Sequence, residues 1–287
     1  MRANTIIGGI IIAILLASVI FAFASPIVLG PLIRFEEDRN KVFRTYSLTD
    51  AEVSGVDYVS LNFTVKTGGI DVNFTDESNL IYRFVFKQDQ GVAEPYIENV
   101  TVDNKLLVKV MAESGDVKVT FGNNYTYDGT LKVGLGGIVA KLSKDSNVEF
   151  FDLVTMYAGG VSVEVYDDTS FDHLNIRVNA GGIMMRIEAE NLERNSSISA
   201  RVEVGGVMIG SIPKGTSFGS RLRAFADIGG ISLNRGDLTV IKETVNEVEI
   251  MTDNYPIAPT KLDIEIFTGL GGSLINQPLL TFPSSFG

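Results

Sequence analysis

Leu174-Asn175-Ile176-Arg177-Val178-Asn179-Ala180-Gly181-Gly182-Ile183-Met184-Met185-Arg186-Ile187-Glu188-Ala189 holds two alternating apolar runs that disagree in phase across a glycine pair. Leu174, Ile176, Val178 and Ala180 carry even numbers, and Ile183, Met185, Ile187 and Ala189 carry odd ones. Successive side chains of a strand point to opposite faces, so each run reads as the inward face of one strand. A straight strand cannot slip by one residue without turning its apolar face to water. A bend that consumes an extra residue can, and glycine suits it because it lacks Cβ and accepts positive φ. The stretch reads as strand, glycine corner, strand.

The same unit returns along the chain. Glycine pairs stand at Gly68-Gly69, Gly136-Gly137, Gly159-Gly160, Gly181-Gly182, Gly205-Gly206, Gly229-Gly230 and Gly271-Gly272. Ile70, Ile138, Val161, Ile183, Val207 and Ile231 follow six of them directly. The phase slip recurs. Leu131, Val133 and Leu135 lead to Ile138, Ala140 and Leu142; Val202 and Val204 lead to Val207 and Ile209. Leu222, Ala224, Ala226 and Ile228 lead to Ile231 and Leu233, and Leu61, Phe63 and Val65 lead to Ile70, Val72 and Phe74. A degenerate unit carries Leu106, Val108, Val110, Ala112 and Ser114 up to Gly115-Asp116, then Val117, Val119 and Phe121. Gln90-Gly91 and Asp253-Asn254 are weaker candidate corners. Self-similarity at a period of about 23 residues is the mark of a stacked array, in which neighbouring units bury one continuous core. The expected fold is all-β: a single-stranded parallel β-solenoid, or β-helix, of about nine or ten coils with Gly-Gly corners, on the order of 45 Å long. A β-sandwich with glycine-rich turns is the competing reading, and it does not account for one spacing and one phase slip over so much of the chain.

One N-terminal transmembrane or signal helix is expected ahead of this body. Thr5 to Ile33 carries no charge, and Ile6 to Ala24 is long enough to span a bilayer. Ala22-Phe23-Ala24 resembles a cleavage site, so a signal peptide and a signal anchor both stand, the anchor being favoured by the apolar run to Ile33. The expected organisation is 1–33 signal anchor or signal peptide, 34–60 stalk and N-terminal cap, 61–275 β-solenoid and 276–287 C-terminal tail or cap. Arg34, Arg39, Lys41 and Arg44 outnumber Arg2 and would hold the body in the cytoplasm. Five Asn-x-Ser/Thr sites, at Asn62, Asn73, Asn99, Asn124 and Asn195, fall off the expected core positions and favour an extracellular body. The expected location is the cell membrane, single-pass with the body outside, or secreted if the signal is cut.

The chain has no cysteine, which excludes disulfides, thiolate metal sites and a cysteine nucleophile. Its net charge of −11 argues against a nucleic-acid partner. The single histidine, His173, lies in a turn beside Asp172 and would need a converging serine and carboxylate to form a hydrolytic triad. Asp167, Asp168 and Asp172, and likewise Asp71, Asn73, Asp76 and Glu77, lack the spacing of a calcium loop. Gly134-Leu135-Gly136-Gly137 lacks the spacing and the following helix of a dinucleotide loop. No catalytic residue, cofactor or metal is expected.

Outward positions give a surface map. Three residues past the second glycine, Lys141, Glu164 and Arg186 become neighbours of alternating sign, followed by Gly210 and Asn234. Two residues past it lie Val139, Ser162, Met184, Met208 and Ser232, of which Val139, Met184 and Met208 would form a contact strip. Scattered apolar surface residues are the ordinary alternative.

Units such as Val65-Lys66-Thr67-Gly68-Gly69-Ile70-Asp71-Val72 and Val178-Asn179-Ala180-Gly181-Gly182-Ile183-Met184-Met185, with the membrane segment, resemble the putative-adhesin β-solenoid superfamily, including LiaF/LiaG-type extracytoplasmic repeat domains. The resemblance covers about three quarters of the chain and is structural, so it carries no catalytic residues. It implies a membrane-anchored surface scaffold or adhesin, a glycoprotein whose partner is a protein or a cell-surface glycan. An envelope-stress sensor binding a membrane partner is the alternative, and a carbohydrate-active β-helix enzyme a more distant one.

Overall fold

The computed structural model describes residues 41–276. The segment 1–33, the residues 34–40 and the tail beyond Asn276 lie outside the described residues, and with them the expected anchor and most of the tail. Among the described residues no helix is long and apolar enough to cross a membrane.

The described chain is all-β and forms one sheet of 14 strands. Six of them are long: β2 (Tyr58–Phe74), β7 (Thr126–Leu142), β8 (Asn147–Val165), β9 (Ser170–Ile187), β11 (Phe218–Leu233) and β14 (Thr260–Ile275). With β10 (Ser196–Ile209) they each contain one glycine pair and run parallel. The degenerate unit is split at its corner into β5 (Lys105–Ser114) and β6 (Asp116–Phe121), both parallel to β2. Each layer is a strand bent at glycine, and its two arms share a core.

Spatial order departs from sequence order at both ends. It runs β5/β6, β2, β7, β8, β9, β10, β14, β11, which makes eight layers and a stack of about 34 Å. The expected nine or ten coils included Gln90-Gly91 and Asp253-Asn254, and both are turns outside the parallel stack. The sheet is mixed, not purely parallel. On one end β3 (Leu80–Asp89) pairs antiparallel with β6, β1 (Lys41–Thr49) with β3, and β4 (Tyr96–Val102) with β5. On the other, β13 (Glu247–Met251) pairs antiparallel with the first arm of β11, and β12 (Thr239–Glu243) with β13. Antiparallel caps end a parallel stack without leaving its broad apolar cross-section open.

The core follows the glycine register. Val117, Ile70, Ile138, Val161, Ile183, Val207, Ser273 and Ile231 form one column across the eight layers. All but Ile231, on the terminal layer, are buried. Ser273 is buried because β14 also buries Thr268, and the two hydroxyls bond at 3.0 Å. Aromatic rings concentrate near the first cap, where Phe63 meets Phe84 edge-on at 5.2 Å and the buried Tyr127 hydroxyl donates to the Ile81 carbonyl.

Corner geometry corrects the inward sets. Inward positions before the corner end at Val65, Ala112, Val133, Val178, Val202 and Ala226, three residues ahead of the first glycine. Leu135, Val204 and Ile228, expected inside, are 48%, 44% and 64% exposed, and Ala180 is half-buried. The bend starts two residues before the glycines, so the residue just ahead of them is carried onto the convex side. The first glycine of each pair has φ between 133° and 152° in the six layers from β7 to β11, and β2's Gly68, at 134°, falls in the same range. A Cβ on Gly181 would stand 1.7 Å from the Gly159 carbonyl oxygen, and the corresponding distance at Gly159, against Gly136, is 1.6 Å. The stacked corners require glycine there. The second position is less restricted: Asp116 occupies it in the terminal layer, exposed to solvent, and a Cβ at Gly230 would make an ordinary contact at 3.6 Å, whereas at Gly137 and Gly272 it would press on the next layer's carbonyl oxygen at 3.3 and 3.0 Å.

Candidate contact face

The corner is a surface on which the repeat places like residues side by side through most of the stack. Leu135 opposes Ala158; Val204 opposes Ala180 and Leu270; Ile228 opposes Leu270. Ala158 and Ala180 precede the paired Gly159 and Gly181, so the ridge is continuous through six layers. β8 holds one residue more than its neighbours before the corner, and its register shifts there. The extra residue, Tyr157, is pushed out to 64% exposure beside the ridge. A bulge re-aiming a side chain outward is a recurrent device at interaction surfaces.

Next to the ridge runs the band of double glycines, without side chains and recessed below it: Gly182, Gly205, Gly206 and Gly271 are buried, Gly229 is exposed and the others are half-buried. Beyond it lies the outward column Val139, Ser162, Met184, Met208, Leu274 and Ser232, whose register partners follow in that order. The expected strip of Val139, Met184 and Met208 thus exists as a column, with Leu274 between Met208 and Ser232. Leu274 escaped because β14 was not expected between β10 and β11; two residues past Gly272, it obeys the same rule. The ridge had no signal in the period-two pattern, which assigned it to the core.

Across these six layers, ridge, glycine band and strip contain no charged residue. Charges begin at the borders. Lys66 pairs with Glu113 at 2.6 Å and Asp71 flanks Val139 on the cap side. Glu203 takes Arg201 at 2.6 Å on one flank. On the other, Lys141, Glu164 and Arg186 are register neighbours as expected, but Glu164 and Arg186 take partners two residues further along their own segments of chain. Tyr166 donates to Glu164 at 2.5 Å, and Arg186 bonds Glu188. The Tyr166 phenol is pushed up to about 12, first by burial and then by the neighbouring carboxylate. Side chains two apart on one strand share a face, so these pairs compete with the neighbours that the next layer offers.

Other candidate chemistry does not assemble. His173 Nδ1 meets Ser197 Oγ at 2.7 Å across one layer, on the open surface. The carboxylate needed to orient it is engaged elsewhere, since Asp172 pairs with Arg194 at 2.9 Å. Asp167 accepts from the Glu190 backbone amide and Asp168 occupies a left-handed turn at φ 56°. Asp71 accepts from Asn73, and Glu77 pairs with Arg83. Among the described residues no group of His, Cys, Asp and Glu is arranged to hold a metal. Asp152, nearly buried, receives Asn175 at 2.8 Å and Arg177, a structural cross-layer clamp. A shallow cleft of about 400 Å³ beside the first cap is lined by Tyr96, Met111 and the Lys66–Glu113 pair among others.

Four of the five sequon asparagines, Asn62, Asn99, Asn124 and Asn195, are exposed, and Asn73 is half-buried. The amides of Asn73, Asn99 and Asn124 donate to Asp71, Tyr82 and Ser78 respectively.

No protein-family model matches this chain, and no curated protein matches it. Among solved structures, a putative cell adhesion protein from Clostridium sporogenes superposes with a TM-score of 0.51 at 16% identity, covering 83% of this chain and 99% of its own. A putative adhesin from Bacteroides fragilis gives a TM-score of 0.29 at 11% identity, over 83% of this chain and 98% of that one. At such identity a likeness speaks for backbone architecture alone, so what this chain shares with the clostridial protein is its all-β fold.

Proposed function

We propose that this chain is a membrane-anchored surface scaffold or adhesin whose β-solenoid body, closed by antiparallel caps, makes contact through its corner face. The observation that carries the reading is the uncharged face itself: six layers of apolar ridge and bare glycine on a chain of net charge −11. Contiguous exposed apolar surface marks interaction sites on soluble bodies. The second glycines extend this uncharged surface: Asp116 fills that position in the first layer, and the seven layers stacked beyond it leave it without a side chain. The role is non-catalytic, the body faces outward, and the uncharged segment 5–33 is its anchor. The exposed sequons and the likeness to a putative cell adhesion protein support this placement. Within the putative-adhesin group, LiaF/LiaG-type extracytoplasmic domains supply a plan for the glycine-cornered body, and the single N-terminal membrane segment is where this chain departs from them.

The test is protease treatment of intact cells followed by mass spectrometry of the membranes. Peptides from 61–275 should be released without lysis, the segment 5–33 should remain with the membrane, and glycan mass should appear on the exposed sequons. A body protected until lysis refutes the outward placement, and a mature chain lacking 5–33 refutes the anchor.

A further inference from the structure

We infer that the corner face joins two copies of this chain side by side, in parallel, about a two-fold axis running along the stack. This rests on the surface-anchored reading, because two bodies held in one membrane by their N-termini share a direction.

Self-complementarity comes first. A two-fold axis along the stack brings each layer of one copy to the same layer of the other. Placed between ridge and glycine band, that axis sets the Val204 ridge position of one copy against the band at Gly206 of its partner, and the reverse. A row of protruding side chains meets a row that has none, at one shared spacing of about 4.8 Å. An axis across the stack would set ridge against ridge and invert one body relative to the membrane.

Charge selects the occupant. Two copies of a chain at −11 repel wherever acidic surfaces face each other. The corner is where they approach without opposing like charges. An oppositely charged partner finds nothing here to pair with. A glycan finds the Ser162 and Ser232 hydroxyls and no amide, carboxylate or guanidinium within the face. A like, uncharged apolar surface is the partner that fits.

Size sets the strength. Six layers span about 24 Å, and ridge to strip about 13 Å of chain, which gives roughly 300 Å² per copy. Stable interfaces bury about 800 Å² per partner, so the pair is weak in free solution and forms where the membrane concentrates both copies.

The absence of cysteine makes single-cysteine variants clean reporters. Leu135→Cys, Val204→Cys and Ile228→Cys lie at exposed positions on the first, fourth and last layers of the face. The full chain, in membranes of expressing cells, is treated with a short bis-maleimide. Each variant should cross-link to itself. Differently tagged Leu135→Cys and Ile228→Cys chains, expressed together, should give no mixed product. Adding Val204→Glu to Ile228→Cys should cut the self-product at least ten-fold, with the far-ultraviolet circular dichroism of the purified chain unchanged. No self-product at all three sites, a dominant mixed product, or a self-product indifferent to Val204→Glu would each overturn the parallel pair. Protease release of the body from intact cells is scored separately, so a body that is outside yet does not pair sinks this inference and leaves the surface reading standing.

Discussion

Gly181→Ala should be among the most damaging single-methyl additions in this chain. Gly181 has φ 138°, a conformation closed to L-residues with a Cβ, at a cost of about 1–3 kcal/mol. The added methyl would lie 1.7 Å from the Gly159 oxygen and 2.8 Å from its carbonyl carbon. Ordinary contact begins near 3.4 Å, so the β8 and β9 corners must separate by well over an ångström. That opening breaks the ladder hydrogen bonds around both corners, each worth about 1 kcal/mol net. The sum is about 4 kcal/mol or more, a large share of the roughly 5–15 kcal/mol that holds a typical domain folded. Gly230→Ala is the internal control. Its backbone is not left-handed, and its methyl would meet the Val245 oxygen at 3.6 Å, an ordinary contact. Urea unfolding of both variants, followed by circular dichroism, gives the comparison. If Gly181→Ala stays within 1 kcal/mol of the parent, or Gly230→Ala falls as far as Gly181→Ala, the corner argument is wrong.

Ile183→Ala, at a fully buried column position, should cost about 2–5 kcal/mol by the same assay, whereas Met184→Glu next to it should leave the midpoint within 0.5 kcal/mol. Thr268→Val should destabilise by about 1–3 kcal/mol through the stranded Ser273 hydroxyl, and Ser273→Ala added to it should recover part of the loss in a double-mutant cycle. Burial raises the phenols of Tyr82, Tyr125, Tyr127, Tyr166 and Tyr255, so the folded state keeps protons that the unfolded state releases above its ordinary value of 10. Their contribution is fully present below that value and is lost as pH rises past it, so the urea midpoint should fall between about pH 9 and about pH 11. A midpoint that holds or rises over that interval would contradict the buried placement of these rings.

Local chemistry alone settled the layer. Alternation within Leu174–Val178 and Ile183–Ile187, and the glycines between, fix which side chains enter the core, because each strand's faces are set by its own backbone. The same reading found Gly115-Asp116 as a corner and the Met184–Met208 adjacency. It failed at Leu135, Val204 and Ile228, since a period of two says nothing of where a bend begins. Only the three-dimensional arrangement decided the order of layers. Parallel rungs of one register are interchangeable in hydrogen bonding, so no local signal tells β14 to enter between β10 and β11. The antiparallel hairpin of β12 and β13 settles it: β13 claims the edge of β11, with Arg223 on Glu249 at 3.0 Å, and leaves β11's other edge for β14. The uncharged face follows from both. Residue choice made each corner bare, and stacking made six of them one surface.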